Sequence, residues 1–157
     1  RLTGGGLVQH GEDLTYSIVS PVSLHPSLKR AQESYRLIHA TLRRALLTFE
    51  IPAELCLEQF PRGDGIVCFD SPVLHDVILG GKKIAGGAQK RSQGYLLHQG
   101  SIAWPLLASG NPGFSEDLFR LEFAKGLGDL FHLPVKETLF SAEDTGLGAP
   151  NENSRCP

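Results

Sequence analysis

The 157-residue sequence has no methionine, even at position 1, and a single tryptophan. A glycine-rich segment opens at the fourth residue, so the natural N-terminus is expected upstream of Arg1. Cysteine is scarce. Cys56, Cys68 and Cys156 are odd in number and show no CxxC spacing, so no disulfide framework or zinc site is indicated and all three read as free thiols. No apolar run approaches the roughly 18 residues of a membrane span, and no charged-then-apolar leader starts the chain. Charge of one sign is lacking too. Fifteen Lys+Arg against 17 Asp+Glu give a formal charge of -2, and the pI of about 6.3 leaves no nucleic-acid footprint. These absences point to a soluble, cytoplasmic protein that binds neither membrane nor nucleic acid.

What remains is ordinary globular composition, 41% hydrophobic and 20% charged, in a length suited to one domain with a real core. The chain is organised around Cys68 to Trp104, where the short apolar runs Val77 to Leu79 and Tyr95 to Leu97 alternate with loops rich in glycine that hold Lys82 and Lys83. Such loops commonly approach a ligand, since glycine lets the backbone come close and lysine supplies charge.

In chain order, Arg1 to Gly11 (RLTGGGLVQHG) is a glycine loop feeding a short strand that ends at His10. It reads equally as a plain turn or a backbone-approach loop, and it matches neither a Walker loop nor GxGxxG. Leu14 to Val19 alternates as a half-buried strand closed by Pro21. Leu28, Ala31, Tyr35, Ile38, Leu42, Ala45 and Phe49 form a helical stripe, predicting a helix over Pro26 to Phe49. Its basic residues Lys29, Arg30, Arg36, Arg43 and Arg44 read as a solvated face. Ala53 to Gln59 enters an edge strand, Ile66 to Phe69 is a short strand, and Asp76 to Gly80 starts another. Gly80 to Gly87 is expected as a turn with Lys82 and Lys83 at its tip, followed by a hairpin of Ala88 to Arg91 and Tyr95 to Ala103 around Ser92 to Gly94. Pro105 to Gly113 reads as loop. Ser115 caps a helix running to Phe131, which Gly126 and Gly128 weaken. Val135 to Phe140 reads as a last strand, and the tail from Ala142 as disordered.

Cys68, at a strand end beside a polar loop, is the candidate nucleophile; the other reading is a buried cysteine packing as a small hydrophobe. A thiol pKa near 8.5 must fall by more than about 1.5 units for thiolate to dominate at pH 7. One ammonium about 4 Å away, at an effective dielectric near 20, is worth up to about 4 kcal/mol, so a single lysine would suffice. His10, His75 and His98 lie in polar, glycine-flanked contexts and read as general bases or as hydrogen-bonded structural residues. His25, His39 and His132 read as incidental. Asp76 reads most simply as a capping or loop carboxylate.

RLTGGGLVQH, GGKKIAGGAQKR and LLHQGSI, in that order, resemble the biotin/lipoate A/B protein ligase family in its lipoate branch, over Arg1 to about Trp104. That branch carries R-x-G-G-G ending in His, K-[IV]-x-G-x-A and an H-G-S/T strand; the G-R-G-R-type motif of biotin ligases is absent. The resemblance implies an α/β (α+β) fold with a mixed sheet flanked by helices, like the catalytic domains of biotin ligases and class II aminoacyl-tRNA synthetases. It implies a partial catalytic domain over residues 1–141, lacking its N-terminal elements, with 142–157 as tail.

Two activities compete within the family. ATP-dependent lipoate ligases carry R-N-D-[LI], whose Asn and Asp help hold the adenylate phosphate and Mg2+; here those positions are His75 and Asp76. Cysteine-dependent octanoyltransferases carry Cys-Phe-Asp-x-Pro, which Cys68 to Pro72 fits without a gap. On that branch the resemblance implies no cofactor. Cys68 would take an octanoyl group from acyl carrier protein and pass it to a lysine of a lipoyl domain or of the glycine-cleavage H protein. Lys83 would hold the acyl carbonyl and assist proton transfer. Gly4, Gly5, Gly6, Gly86, Gly87 and Ala88 would line the acyl slot, with the Gly86 to Ala88 turn supplying oxyanion donors. His10 would lie near the acyl carbonyl, and His98 and Gln99 would complete the binding residues.

Overall fold

A computed structural model describes residues 13–58, 72–111 and 113–138. The expected elements in Arg1 to Gly11 and Ile66 to Phe69, and the tail, lie outside the described residues.

Strand β1 (Leu14–Pro21) is followed by helix α1 (Ala31–Leu47), β2 (Glu54–Leu55), β3 (Val77–Leu79), β4 (Lys82–Ser92), β5 (Tyr95–Ile102), α2 (Trp104–Gly110) and α3 (Glu116–Phe131). The strands form one sheet in the order β1-β5-β4-β3-β2. Every described pairing is antiparallel.

The two hairpins around β4 set the register of the site. Ser92 pairs with Tyr95, and the intervening Gln93 and Gly94 both take positive φ, 50° and 79°. That is the two-residue turn whose twist matches the strands. Leu79 pairs with Lys82 across Gly80 and Gly81 at φ 55° and 77°. The expected long turn Gly80 to Gly87 is therefore corrected. Two consecutive glycines meet both left-handed requirements at once, so the chain reverses there and Lys82 already opens β4.

The predicted helix Pro26 to Phe49 is divided. His25 caps a 3-10 turn (Pro26–Lys29) by accepting the Ser27 N–H at Nδ1, Arg30 is extended (φ -110°, ψ 131°), and α1 starts at Ala31. The break leaves Ala31 exposed. Ile38, Leu42, Ala45 and Leu46 point into the core with Ser34, His39 and Thr41. Ser115 caps α3 through the Leu118 N–H, with Glu116 and Asp117 in its first turn. Gly126 is buried against α1, where a Cβ would stand 2.8 Å from Thr41 Cγ2, so a residue that weakens the isolated helix lets the two helices approach.

Residues 105–110, read as loop, belong to α2, with Pro105 in its first turn and Leu107 fully buried. Trp104 stacks on Phe114 at 4.7 Å beside Phe119, and this aromatic packing holds the short helix. Val135 to Lys136 and on to residue 138 form no strand, and Leu133 and Val135 are about half exposed.

Alternation divides the sheet. Leu14, Tyr16, Ile18, Leu96, His98 and Ile102 face α1 and α3, and the core of Ile38, Leu42, Leu46, Ile84, Leu96, Ile102 and Phe119 closes there. Thr15, Ser17, Val19, Tyr95 and Gln99 lie exposed on the other face. No helix among the described residues is long and apolar enough to cross a membrane.

Candidate active site

Asp76 ends the loop before β3, and Lys83 is the second residue of β4. The tight Gly80–Gly81 turn brings them together. Asp76 is fully buried and its Oδ2 lies 2.8 Å from Lys83 Nζ, on a side chain only 8% exposed. Oδ2 also accepts the Val73 N–H (2.8 Å), and Oδ1 accepts the Tyr35 hydroxyl (2.5 Å). The Tyr35 oxygen accepts the Gly87 N–H in turn (2.9 Å). The loop is itself pinned, since Cys56 N–H donates to Asp76 O and His75 N–H to Cys56 O. Burial, and then the Asp76 charge, push the Tyr35 phenol well above its ordinary pKa, so it stays a donor. A Cβ on Gly86 would stand 2.5 Å from Lys83 Cε and 2.7 Å from Nζ. The ammonium therefore rests on a floor that only glycine leaves open.

A second polar layer lies above it. Gln89 Oε1 accepts from the Arg91 guanidinium and the Ser34 hydroxyl, which fixes the amide orientation, so the Gln89 NH2 donates to His98 Nδ1 (3.0 Å). His98 thus carries its proton on Nε2, facing the Tyr16 hydroxyl at 3.2 Å. His39 has the opposite tautomer. Its Nδ1–H donates to the His75 carbonyl (2.7 Å), leaving Nε2 as a buried acceptor without a partner among the described residues. Burial, foremost, lowers both imidazoles, His39 to about 4 and His98 to about 3. Both are neutral at pH 7. The rings pack edge to face at 5.4 Å, with Tyr35 at 4.1 Å from His39. An apolar cleft of about 220 Å³ between β1 and α3 shares Tyr16 with this network but lies away from Lys83.

Residues 1–106 match the lipoyl protein ligase A/B catalytic domain. The chain belongs to that family. Among curated relatives, the octanoyltransferase LipM of Exiguobacterium sp. is 39% identical over 109 residues, 65% of this chain and 40% of that protein. This chain therefore spans well under half the length of the relatives it matches. Its fold superposes on lipoate-protein ligase A bound with ATP (TM-score 0.64, 19% identity, 93% of this chain and 63% of that one). It also superposes on the biotin protein ligase of Aquifex aeolicus (TM-score 0.53, 16% identity, 76% and 53%). At such identities the likeness concerns fold alone, and it agrees with the α+β, biotin-ligase-like architecture expected from the motifs.

Within this lipoyl ligase fold, Gly87, Asp76, His75 and His98 gather about Tyr35 and His39 in the N-terminal half of α1, and Lys83 reaches Asp76 from over Gly86. Cys68, Gly4, Gly5, Gly6 and His10 lie outside the described residues. Ala88 is half-buried on β4, and Gln99 is exposed on the far side of the sheet from His98, so these two neighbours do not act as a pair. The expected Gly86 to Ala88 turn is corrected to mid-strand, because β4 stays paired with β5 from Ala85 to Ser92. Gly87 N–H, one of its supposed oxyanion donors, is already given to Tyr35. The space above Gly86 is occupied by Lys83. His39, read as incidental, is fully buried at the centre of the network. Tyr35, read as part of an apolar stripe, is its hub. The available signal was polarity inside the stripe: Ser34, Tyr35 and His39 all turn inward, and buried polar groups require partners.

Proposed function

We propose that this chain carries the catalytic part of a cysteine-dependent octanoyltransferase of protein lipoylation. The observation that carries the reading is Cys68 to Pro72 (CFDSP), within the matched residues 1–106, in a chain 39% identical to an octanoyltransferase LipM. In the proposed reaction the Cys68 thiolate attacks the thioester carbonyl of octanoyl acyl carrier protein. The donor C–S bond breaks, and the carrier leaves as a thiol, taking up the proton that Cys68 released in becoming a thiolate. The amine of a lysine on a lipoyl domain, or on the glycine-cleavage H protein, then attacks the new thioester. An amide forms, the second C–S bond breaks, and the amine proton returns to the Cys68 sulfur with the help of Lys83. Thioester exchange is nearly neutral in energy and amide formation drives the sequence, so no ATP or Mg2+ takes part. Lys83 holds the acyl carbonyl, and Gly4 to Gly6 and His10 border the acyl chain.

Asp76 favours this reading over an ATP-dependent ligase. A ligase would use His75 and Asp76 near the adenylate phosphate and its cation, yet both Asp76 oxygens accept bonds from Tyr35, Val73 and Lys83 inside the fold. Transfer to a lipoyl domain, measured with octanoyl acyl carrier protein alone and with lipoate, ATP and Mg2+, separates the two. The transferase reading expects modification in the first mixture and its loss in Cys68→Ala. Modification only in the second mixture, insensitive to Cys68→Ala, contradicts it; modification in neither marks an inert binding module.

A further inference from the structure

We propose that Tyr35 and Asp76 are positioning residues that fix the Lys83 ammonium for its work on the acyl carbonyl. The inference rests on the proposed role of Lys83 and adds what holds that lysine in place. Three elements meet at one hydroxyl. Tyr35, on α1, donates to Asp76 in the loop before β3 and accepts from Gly87 on β4, using both its donor and an acceptor position. Asp76 holds Lys83 Nζ at 2.8 Å and is anchored at its other side by the Val73 N–H. The Tyr35 ring is clamped by His39 at 4.1 Å and His98 at 5.7 Å, so its hydroxyl has little freedom. Below, Gly86 lets the lysine lie flat against β4. A fold that needed only stability here would be served as well by apolar side chains, since a buried ion pair is poor value against a packed hydrocarbon. A fixed ammonium, by contrast, is what a developing oxyanion requires, and misplacing such a group by about 1 Å can cost about 100-fold in rate.

The test uses the full chain and two readouts. Tyr35→Phe keeps the ring and removes only the hydroxyl. It is expected to lower kcat for transfer from octanoyl acyl carrier protein by about 10- to 100-fold with KM for the acceptor domain essentially unchanged. It is also expected to raise the labelling of Lys83 by an amine-directed reagent relative to Lys82 in the same sample, read by peptide mass spectrometry. Asp76→Asn should move both readouts the same way; if it does not fold, Tyr35→Phe decides. A wild-type labelling ratio in folded Tyr35→Phe overturns the proposal whatever the activity, and so does a wild-type kcat. If the unsubstituted protein transfers nothing, the octanoyltransferase reading has failed and the labelling ratio still tests the positioning. If it transfers octanoyl and Tyr35→Phe matches it in both readouts, the positioning alone has failed.

Discussion

Successive residues of this sheet enter two different environments. On β5, His98 turns toward α1 and is fully buried, whereas Gln99 is exposed. On β4, Lys82 is exposed and Lys83, the next residue, is sealed against Asp76. On the covered face every hydrogen bond fixes the next. Arg91 orients Gln89, Gln89 sets the tautomer of His98, and the His75 carbonyl sets that of His39. On the opposite face Gln99 is exposed. Alternation alone separates His98 from Gln99, whereas Lys83 lies over Gly86, on the face of β4 opposite Gly87 and His98, and is sealed there by Asp76 from the loop before β3.

The pairing also corrects a simple electrostatic expectation. An isolated lysine beside Cys68 would stabilise its thiolate, but Lys83 shares its charge with Asp76 at 2.8 Å. The potential it exerts on a thiol is that of a pair and is smaller than the lone-ammonium figure of up to about 4 kcal/mol.

The largest effect that would sharpen the contrast is on stability. Lys83→Met leaves the Asp76 carboxylate buried and uncompensated and should cost about 3–5 kcal/mol in urea unfolding at pH 7. Adding Asp76→Asn removes the stranded charge while keeping an acceptor for Tyr35, and should return much of the loss. Lys82→Met should stay within about 0.5 kcal/mol. Equal costs for the two lysines would break the comparison.

A smaller effect is on pH dependence. Both His39 and His98 have folded pKa values depressed below the unfolded value, to about 4 and about 3. The unfolded state therefore binds more protons in acid. Their contribution is fully present above about pH 6.5 and is lost as pH falls toward those folded values, at about 1.4 kcal/mol per pH unit for each histidine. Replacing His39 by Asn should flatten the stability curve between about pH 4.5 and 6 by that amount. Gln99→Ala should leave the slope unchanged. An unaltered slope in the His39 variant would show that this imidazole is not held neutral by the fold.

Much of this was legible in the residues. The Gln93–Gly94 hairpin, the Ser115 cap and the stripe of Ile38, Leu42 and Ala45 follow from local chemistry and appear as expected. Lys83 was marked by its motif. What escaped depends on tertiary context. The break at Arg30 and the helix at Trp104 to Gly110 answer to packing, which overrides propensity. Tyr35 sits on the stripe and His39 beside it, and nothing local reveals that their polar atoms meet Asp76 and His75 from 41 and 36 residues away. The turn at Gly80–Gly81 could have been read from its two glycines alone, and with it the placement of Lys83 inside a strand.

The central claim is that an acyl group passes through Cys68 on its way to a protein lysine. The most direct test is the intact mass of the full chain after mixing with octanoyl acyl carrier protein in the absence of ATP, beside Cys68→Ala, with the adduct located by peptide mapping. One octanoyl group on Cys68, absent from the variant and discharged by an acceptor domain, is the predicted result. An unmodified Cys68 in a protein that still lipoylates its acceptor would contradict the account.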